Sequence, residues 1–244
     1  MRNIKLIIEY DGTAYHGWQS QKNAVAVQDV VTEAVRRLTG ENCSLTGSSR
    51  TDTGVHALGQ VCNFFTESKI PADKFAFALN TMLPEDIVVH QSEEAAQDFH
   101  SRFSAKGKEY RYLIYNSTFP SALLRHKAWH VFYPLDAGKM ERAAGYLTGT
   151  HDFAAFCAAG GSAETTVRTI TEARVKKNGA LIEFSVAGNG FLYNMVRIIA
   201  GTLAEAGFGK IDPDAVRDII EGRDRRKAGR TAPAHGLYLV EVYY

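Results

Sequence analysis

The chemistry-bearing residues of this chain crowd into Ser48-Ser49-Arg50-Thr51-Asp52-Thr53-Gly54-Val55-His56. Arg50 and Asp52 stand two apart, so in extended backbone they project to one side and are expected to pair. A guanidinium beside a carboxylate favours its charged form and fixes its direction. An aimed, charged Asp is a nucleophile or a base. The same residues also suit a plain turn, which Asp, Thr and Gly favour for local reasons alone. Asp52-Thr53-Gly54 further matches the tripeptide of aspartic proteases, which need two carboxylates sharing a proton. With one such tripeptide, a protease would have to assemble its dyad across a dimer axis. Polar Ser49, Arg50 and Thr51 also stand where an apolar strand would lead in, so that reading ranks last.

Two further clusters carry positive charge. Arg102, Lys106, Lys108 and Arg111 are interleaved with Phe99, Phe103, Tyr110 and Tyr112, and Glu109 is the one acid among them. Cations beside aromatic faces can hold phosphates while a ring stacks on an exposed base. A strand with one core face and one solvated basic face has the same composition. Tyr110 and Tyr112 fall on a common face. Arg223, Arg225, Arg226, Lys227 and Arg230, with Asp224 as their one acid, read either as a phosphate-binding tether or as a solvated loop. Gly222 and Gly229 suggest mobility there.

The elements that must position these groups can be traced from hydrophobic period. Residues 3–10 alternate as a strand, and Val27, Val30, Val31, Ala34, Val35 and Leu38 form a helical stripe stopped by Gly40. Strands are expected over 61–66, 87–90, 108–116, 168–176, 181–186 and 237–243, and helices over 72–82, 135–147, 191–206 and 212–221. Asp212 reads as the N-cap of the last helix, Pro213 as its first residue and Gly222 as its stop. In the 191–206 helix, Leu192, Met195, Val196, Ile199 and Leu203 make a core face. Asn194, Arg197 and Gly201 line the opposite side, where the glycine admits something close to a guanidinium. An internal ion pair is the plainer role for Arg197.

Helices separated by more than one strand argue an α+β fold with mainly antiparallel sheet and flanking helices. The 244 residues allow one large domain or two modest ones. Both halves share this makeup, so we expect two abutting halves, 1–105 and 106–244, with a cleft between them. The chain is 45% hydrophobic and 23% charged, which excludes a fibrous or largely disordered protein. Its 28 basic and 27 acidic side chains balance, so any polyanion must be met by local charge. Cys43, Cys62 and Cys157 lack metal or disulfide spacing, and neither a signal-peptide core nor an apolar run of about 18 residues is present. A cytoplasmic protein with no membrane segment is expected. Without a Walker loop, HExxH, complete GxGxxG or His/Cys cluster, the chemistry is expected to need no metal and no cofactor.

Taken together, the segments resemble the TruA-type tRNA pseudouridine synthase family nearly end to end. The opening Tyr10-Asp11-Gly12-Thr13-Ala14-Tyr15-His16-Gly17-Trp18-Gln19 is similar to that family's first strand and loop, and Arg50-Thr51-Asp52-Thr53-Gly54-Val55-His56-Ala57 to its catalytic motif. Asp98-Phe99-His100-Ser101-Arg102-Phe103-Ser104-Ala105 with Lys108-Glu109-Tyr110-Arg111-Tyr112 resembles its second motif. Gly149-Thr150-His151-Asp152-Phe153, Val167-Arg168-Thr169-Ile170, Met195-Val196-Arg197 and Ala232-Pro233-Ala234-His235-Gly236-Leu237-Tyr238-Leu239 complete the match. One departure is Ser49, where the family usually has glycine.

The resemblance implies a catalytic Asp52, with Arg50 as its ion-pair partner and as a wedge holding the target nucleotide out. It implies that Tyr110 stacks on the flipped uracil, that Arg197 pairs with Asp52 and that Leu237 packs on the base. Arg102, Lys108, Arg225 and Arg226 would meet the RNA. It also implies a homodimer acting on tRNA, at neighbouring uridines on the 3′ side of the anticodon arm. A non-catalytic binder of structured RNA is the main alternative that the basic and aromatic clusters allow.

Overall fold

Alternation starts the fold: Ile4, Leu6, Ile8 and Tyr10 are buried along β1 (Arg2–Tyr10), which has a partner on each edge. The computed structural model describes residues 1–161 and 163–244. These divide into a unit of Met1–Lys106 with Tyr238–Tyr244 and a unit of Gly107–Leu237.

In the first unit, β1 is followed by α1 (Val27–Thr39), β2 (Thr46–Gly47), β3 (His56–Thr66), α2 (Phe75–Asn80) and β4 (Ile87–Ala95). β1 lies antiparallel between β4 and β3, with Ile4 opposite both Glu94 and Phe64. The expected stripe of α1 buries Val27, Val31, Ala34 and Val35. The Asp29 carboxylate accepts the Ala26 N–H where α1 begins, and Gly40 ends it in the left-handed region. α2 is shorter than the 72–82 expected. Ala72–Lys74 make a 3-10 turn instead, and the Asn80 side chain bonds both the N–H and the carbonyl of Val89, tying the helix end to β4.

The second unit contains β5 (Gly107–Asn116), β6 (Trp129–Val131), α3 (Ala137–Gly145), β7 (Gly149–Asp152), β8 (Val167–Asn178), β9 (Leu181–Gly188), α4 (Met195–Phe208) and α5 (Ala215–Gly222). Antiparallel pairing gives the order β5-β9-β8-β7, and β6 adds to β5 in parallel. α4 starts at Met195 rather than 191 because Asn194 holds φ 59, which helical backbone does not admit. α5 starts at Ala215 rather than Pro213: Asp212 Oδ1 accepts the Asp214 N–H, and the Asp212 carbonyl accepts the Ala215 N–H in a tighter turn. Gly222 is its last residue, and Arg223 supplies the left-handed cap.

The last strand, β10 (Leu237–Tyr243), is where expected, and from Tyr238 onward it groups with the first unit. It runs parallel to β3 with Tyr238 opposite His56. The fold is the expected α+β arrangement of mainly antiparallel sheet with flanking helices. Strands β2, β6 and β7 were not anticipated, being two to four residues long with too little alternation to count. Among the described residues, no helix is long and apolar enough to cross a membrane.

Candidate active site

The segment from Ser48 to His56 leaves β2, turns at Asp52 and enters β3. Ser48 Oγ donates to Gln60 Oε1 (2.8 Å), and Gln60 Nε2 donates to the Ser49 carbonyl (2.7 Å). Gln60 is fully buried in β3, so a strand side chain clamps the start of the loop from beneath. Val55 N–H bonds the Asp52 carbonyl at 3.1 Å, which makes Asp52 the first residue of a β-turn. Asp52 is half-buried, while Thr51 before it is buried.

The loop after β1 grips this turn from the other side. Tyr10 Oη and Thr51 Oγ1 are 2.8 Å apart, Trp18 N–H donates to the Thr51 carbonyl (3.2 Å), and Gly54 N–H donates to the Tyr15 carbonyl (3.3 Å). The Trp18 indole is buried and stacks on Tyr10 with ring centroids 6.0 Å apart. Gly17 has φ +85, and a Cβ there would stand 2.3 Å from the Thr51 carbonyl oxygen. No other residue permits that approach without displacing the backbone that carries Asp52. Gly12 N–H donates to His56 Nδ1 (3.1 Å), and the His56 ring stacks on Tyr238 at 4.7 Å. Burial, and then the charge of Asp11, push the Tyr238 phenol up to about 12.

The expected pairing of Arg50 with Asp52 is not formed. Arg50 is exposed and, among the described residues, makes neither ion pair nor hydrogen bond. The spacing assumed extended backbone through Asp52, but a β-turn opens at that residue. The plain turn and the aimed carboxylate are therefore compatible: the turn presents the acid.

In the second unit, Tyr110 is 8% exposed on β5 and meets Phe191 edge to face at 5.0 Å. Tyr112 lies on the same face, and its hydroxyl donates to the Pro233 carbonyl (2.7 Å). Burial raises the Tyr112 phenol, and the nearby cations Arg197 and Arg230 oppose that. Arg197 Nε donates to the Ala232 carbonyl (2.8 Å), and its Nη1 donates to Asn194 Oδ1 (2.7 Å). Burial lowers the pKa of His235, and His126 and Arg197 add to this. What approaches Gly201 is the chain's own 229–232 segment: a Cβ would stand 1.8 Å from the Arg230 carbonyl oxygen. That contact orders the segment leading to Leu237, which is itself 6% exposed.

The arginine-rich segment is less uniform than its composition suggests. Arg225 turns inward to the Gly229 carbonyl (2.9 Å) and Thr231 Oγ1 (3.2 Å). Arg223 pairs with Asp152 (3.2 Å), and Arg230 lies over the Trp129 ring at 4.7 Å. Arg226 grips Asp224 (2.8 Å), whose carboxyl it holds down at about 2, yet its side chain stays 90% exposed. Lys227 is exposed, Lys108 half-buried on β5, and Arg102 exposed in the first unit. Among the described residues, no group of three or more His, Cys, Asp or Glu could hold a metal ion.

The family model described as tRNA pseudouridine synthase matches residues 6–104 and 143–244. The chain belongs to the tRNA pseudouridine synthase family. It is 63% identical to the tRNA pseudouridine synthase A of Acetivibrio thermocellus over the full length of both. The same-named proteins of Ruminiclostridium cellulolyticum and Caldicellulosiruptor bescii are 57% and 51% identical, again over the full length of each chain.

Within this tRNA pseudouridine synthase fold, Ser49 needs no glycine backbone. Positive φ among the described non-glycine residues occurs at Asn194 and Arg223, not there. Its hydroxyl is buried and has no hydrogen-bond partner in the described protein. Such a group costs about 1–3 kcal/mol. Ser49→Ala is expected to raise the midpoint of thermal unfolding by roughly 2–4 °C per kcal/mol recovered, and calorimetry checks this.

Proposed function

We propose that the chain isomerises uridine to pseudouridine in tRNA, at neighbouring uridines on the 3′ side of the anticodon arm. The observation that carries the reading is the Asp52 turn, held by buried partners on both sides in a chain of this family. The reaction breaks the bond between ribose C1′ and uracil N1, turns the base, and joins C1′ to C5. The C5 hydrogen is lost as a proton and N1 gains one, so atoms balance without an external reactant.

Asp52 acts on the sugar, either as a nucleophile at C1′ or as the base that removes a ribose proton. Both roles need a carboxylate rather than an amide. The target base must leave its stack, at a cost of a few kcal/mol that an unpaired or helix-end position lessens. Stacking on Tyr110, of order 1–3 kcal/mol, offsets much of this. Leu237 packs on the base, Arg197 supports the acid, and Arg50, exposed beside the turn, holds the nucleotide out. Arg102, Lys108 and Arg226 meet phosphates, while Arg225 shapes the loop that presents Arg226.

Release of tritium from C5-labelled uridine in tRNA tests the reading, because only isomerisation displaces that hydrogen. Asp52→Asn keeps the volume and removes the charge, so turnover should fall on the order of 10⁴-fold while RNA binding survives. Tyr110→Phe should keep its stacking and partial activity, and Tyr110→Ala should lose roughly 5–150-fold. Near wild-type release by Asp52→Asn would overturn the assignment. RNA binding by the wild type without any release would favour a non-catalytic RNA binder. The same reading includes a cytoplasmic homodimer, and light scattering should return twice the chain mass.

A further inference from the structure

Phe103 is 76% exposed, and nothing in the chemistry at Asp52 uses it. An exposed phenylalanine is ordinary by itself. This one is held in place from behind by a network that leaves its loop little freedom. Ser101 is fully buried: its N–H donates to Asn63 Oδ1 (3.0 Å), its hydroxyl to the Thr46 carbonyl (2.6 Å), and its carbonyl accepts from Tyr244 Oη (2.7 Å). Asn3 Nδ2 donates to the Phe99 carbonyl (2.9 Å). The loop then closes on itself, with Ser104 N–H on the His100 carbonyl (2.9 Å) and His100 N–H on Ser104 Oγ (3.1 Å).

The ring itself is backed by a second ring. His100 lies 4.3 Å from Phe103 between centroids with the planes 31° apart. His100 Nδ1 accepts the N–H groups of Arg102 and Phe103, both at 3.2 Å, which fixes the imidazole in that orientation. The Arg102 guanidinium carbon stands 5.6 Å from the Phe103 centroid, and among the described residues Arg102 forms no ion pair. A fixed, largely exposed ring with a guanidinium over it that forms no ion pair among the described residues suits a flat, anionic ligand. Preorganisation leaves little ordering cost when that ligand arrives.

We propose that Phe103 stacks on a second, unpaired nucleobase of the RNA, with Arg102 on the adjoining phosphate. The inference deepens the tRNA reading above and rests on it. Ser101 is tied to Thr46, six residues before Asp52, and six extended residues span at most about 20 Å. The base taken by Phe103 therefore lies in the same arm of the RNA as the target uridine, a few nucleotides away. A protein surface could also cover an exposed phenylalanine, but the free cation favours a polyanion.

The test uses the full chain and tRNA transcripts carrying 2-aminopurine singly at each unpaired position of the arm. Wild type and Phe103→Tyr should quench one position on binding, whereas Phe103→Leu and Phe103→Ala should not. Phe103→Ala should weaken Kd by roughly 5–150-fold, with KM rising and kcat at saturating RNA changing far less. Its unfolding midpoint should stay at the wild-type value, since the ring is exposed. An unchanged Kd for Phe103→Ala overturns the proposal. So does a leucine variant as good as the tyrosine one, which would mean apolar contact without stacking. A change in molar mass without a change in Kd overturns it too, by assigning the ring to a protein contact. Wild type that quenches through Phe103 yet forms no pseudouridine would sink the proposed reaction and leave the stacking intact.

Discussion

The site depends on one close approach between two backbones, that of Gly17 to the carbonyl of Thr51. Asp52 follows directly, so whatever sets the position of that peptide sets the carboxylate. Three hydrogen bonds from the Tyr10–Trp18 loop and one clamp from Gln60 converge on the same few residues. A mobile tether would not hold a carboxylate to one position, and positional errors of about an ångström are costly in catalysis. Here the turn supplies exposure and the surrounding loop supplies rigidity.

The second unit follows the same rule with different means. Arg197 on α4 is tied to Asn194 and to Ala232, and Gly201 one turn further on lets the 229–232 segment lie against the helix. The segment continues through Pro233, held by the Tyr112 hydroxyl, to Leu237 and β10. Side chains spread over three elements are thus ordered by one another before any ligand binds. Phe103 shows the same arrangement in the first unit, an exposed ring whose supporting loop is tied to Asn3, Thr46, Asn63 and Tyr244 as well as to itself.

Much of this was legible in the sequence because it is written in local period. β1, α1, β5, β9 and β10 announce themselves by alternation or by a stripe, and Asp52, Tyr110 and Arg197 stand out as polar or aromatic exceptions within motifs. The Arg50–Asp52 pair misled because spacing implies a common side only while the backbone stays extended. The end of α2 is hidden because the Asn80 side chain bonds the backbone of Val89 on β4, a tertiary contact that helical period does not show. The role of Gln60 was open to notice as a polar residue inside an apolar strand, but its partners at Ser48 and Ser49 depend on tertiary register. Nor does any local signal say that Tyr238 will lie beside His56. Arg225 looked like the other cations of its cluster, and only the carbonyls around it separate a loop tie from an exposed charge.

The most direct measurement is the single-turnover rate of pseudouridine formation by Gly17→Ala, compared with its tRNA affinity. Adding one methyl group must push the Thr51 peptide away, and with it the acid. Binding of tRNA should stay close to wild type while the chemical step slows by orders of magnitude. A Gly17→Ala protein that binds and isomerises at the wild-type rate would contradict it.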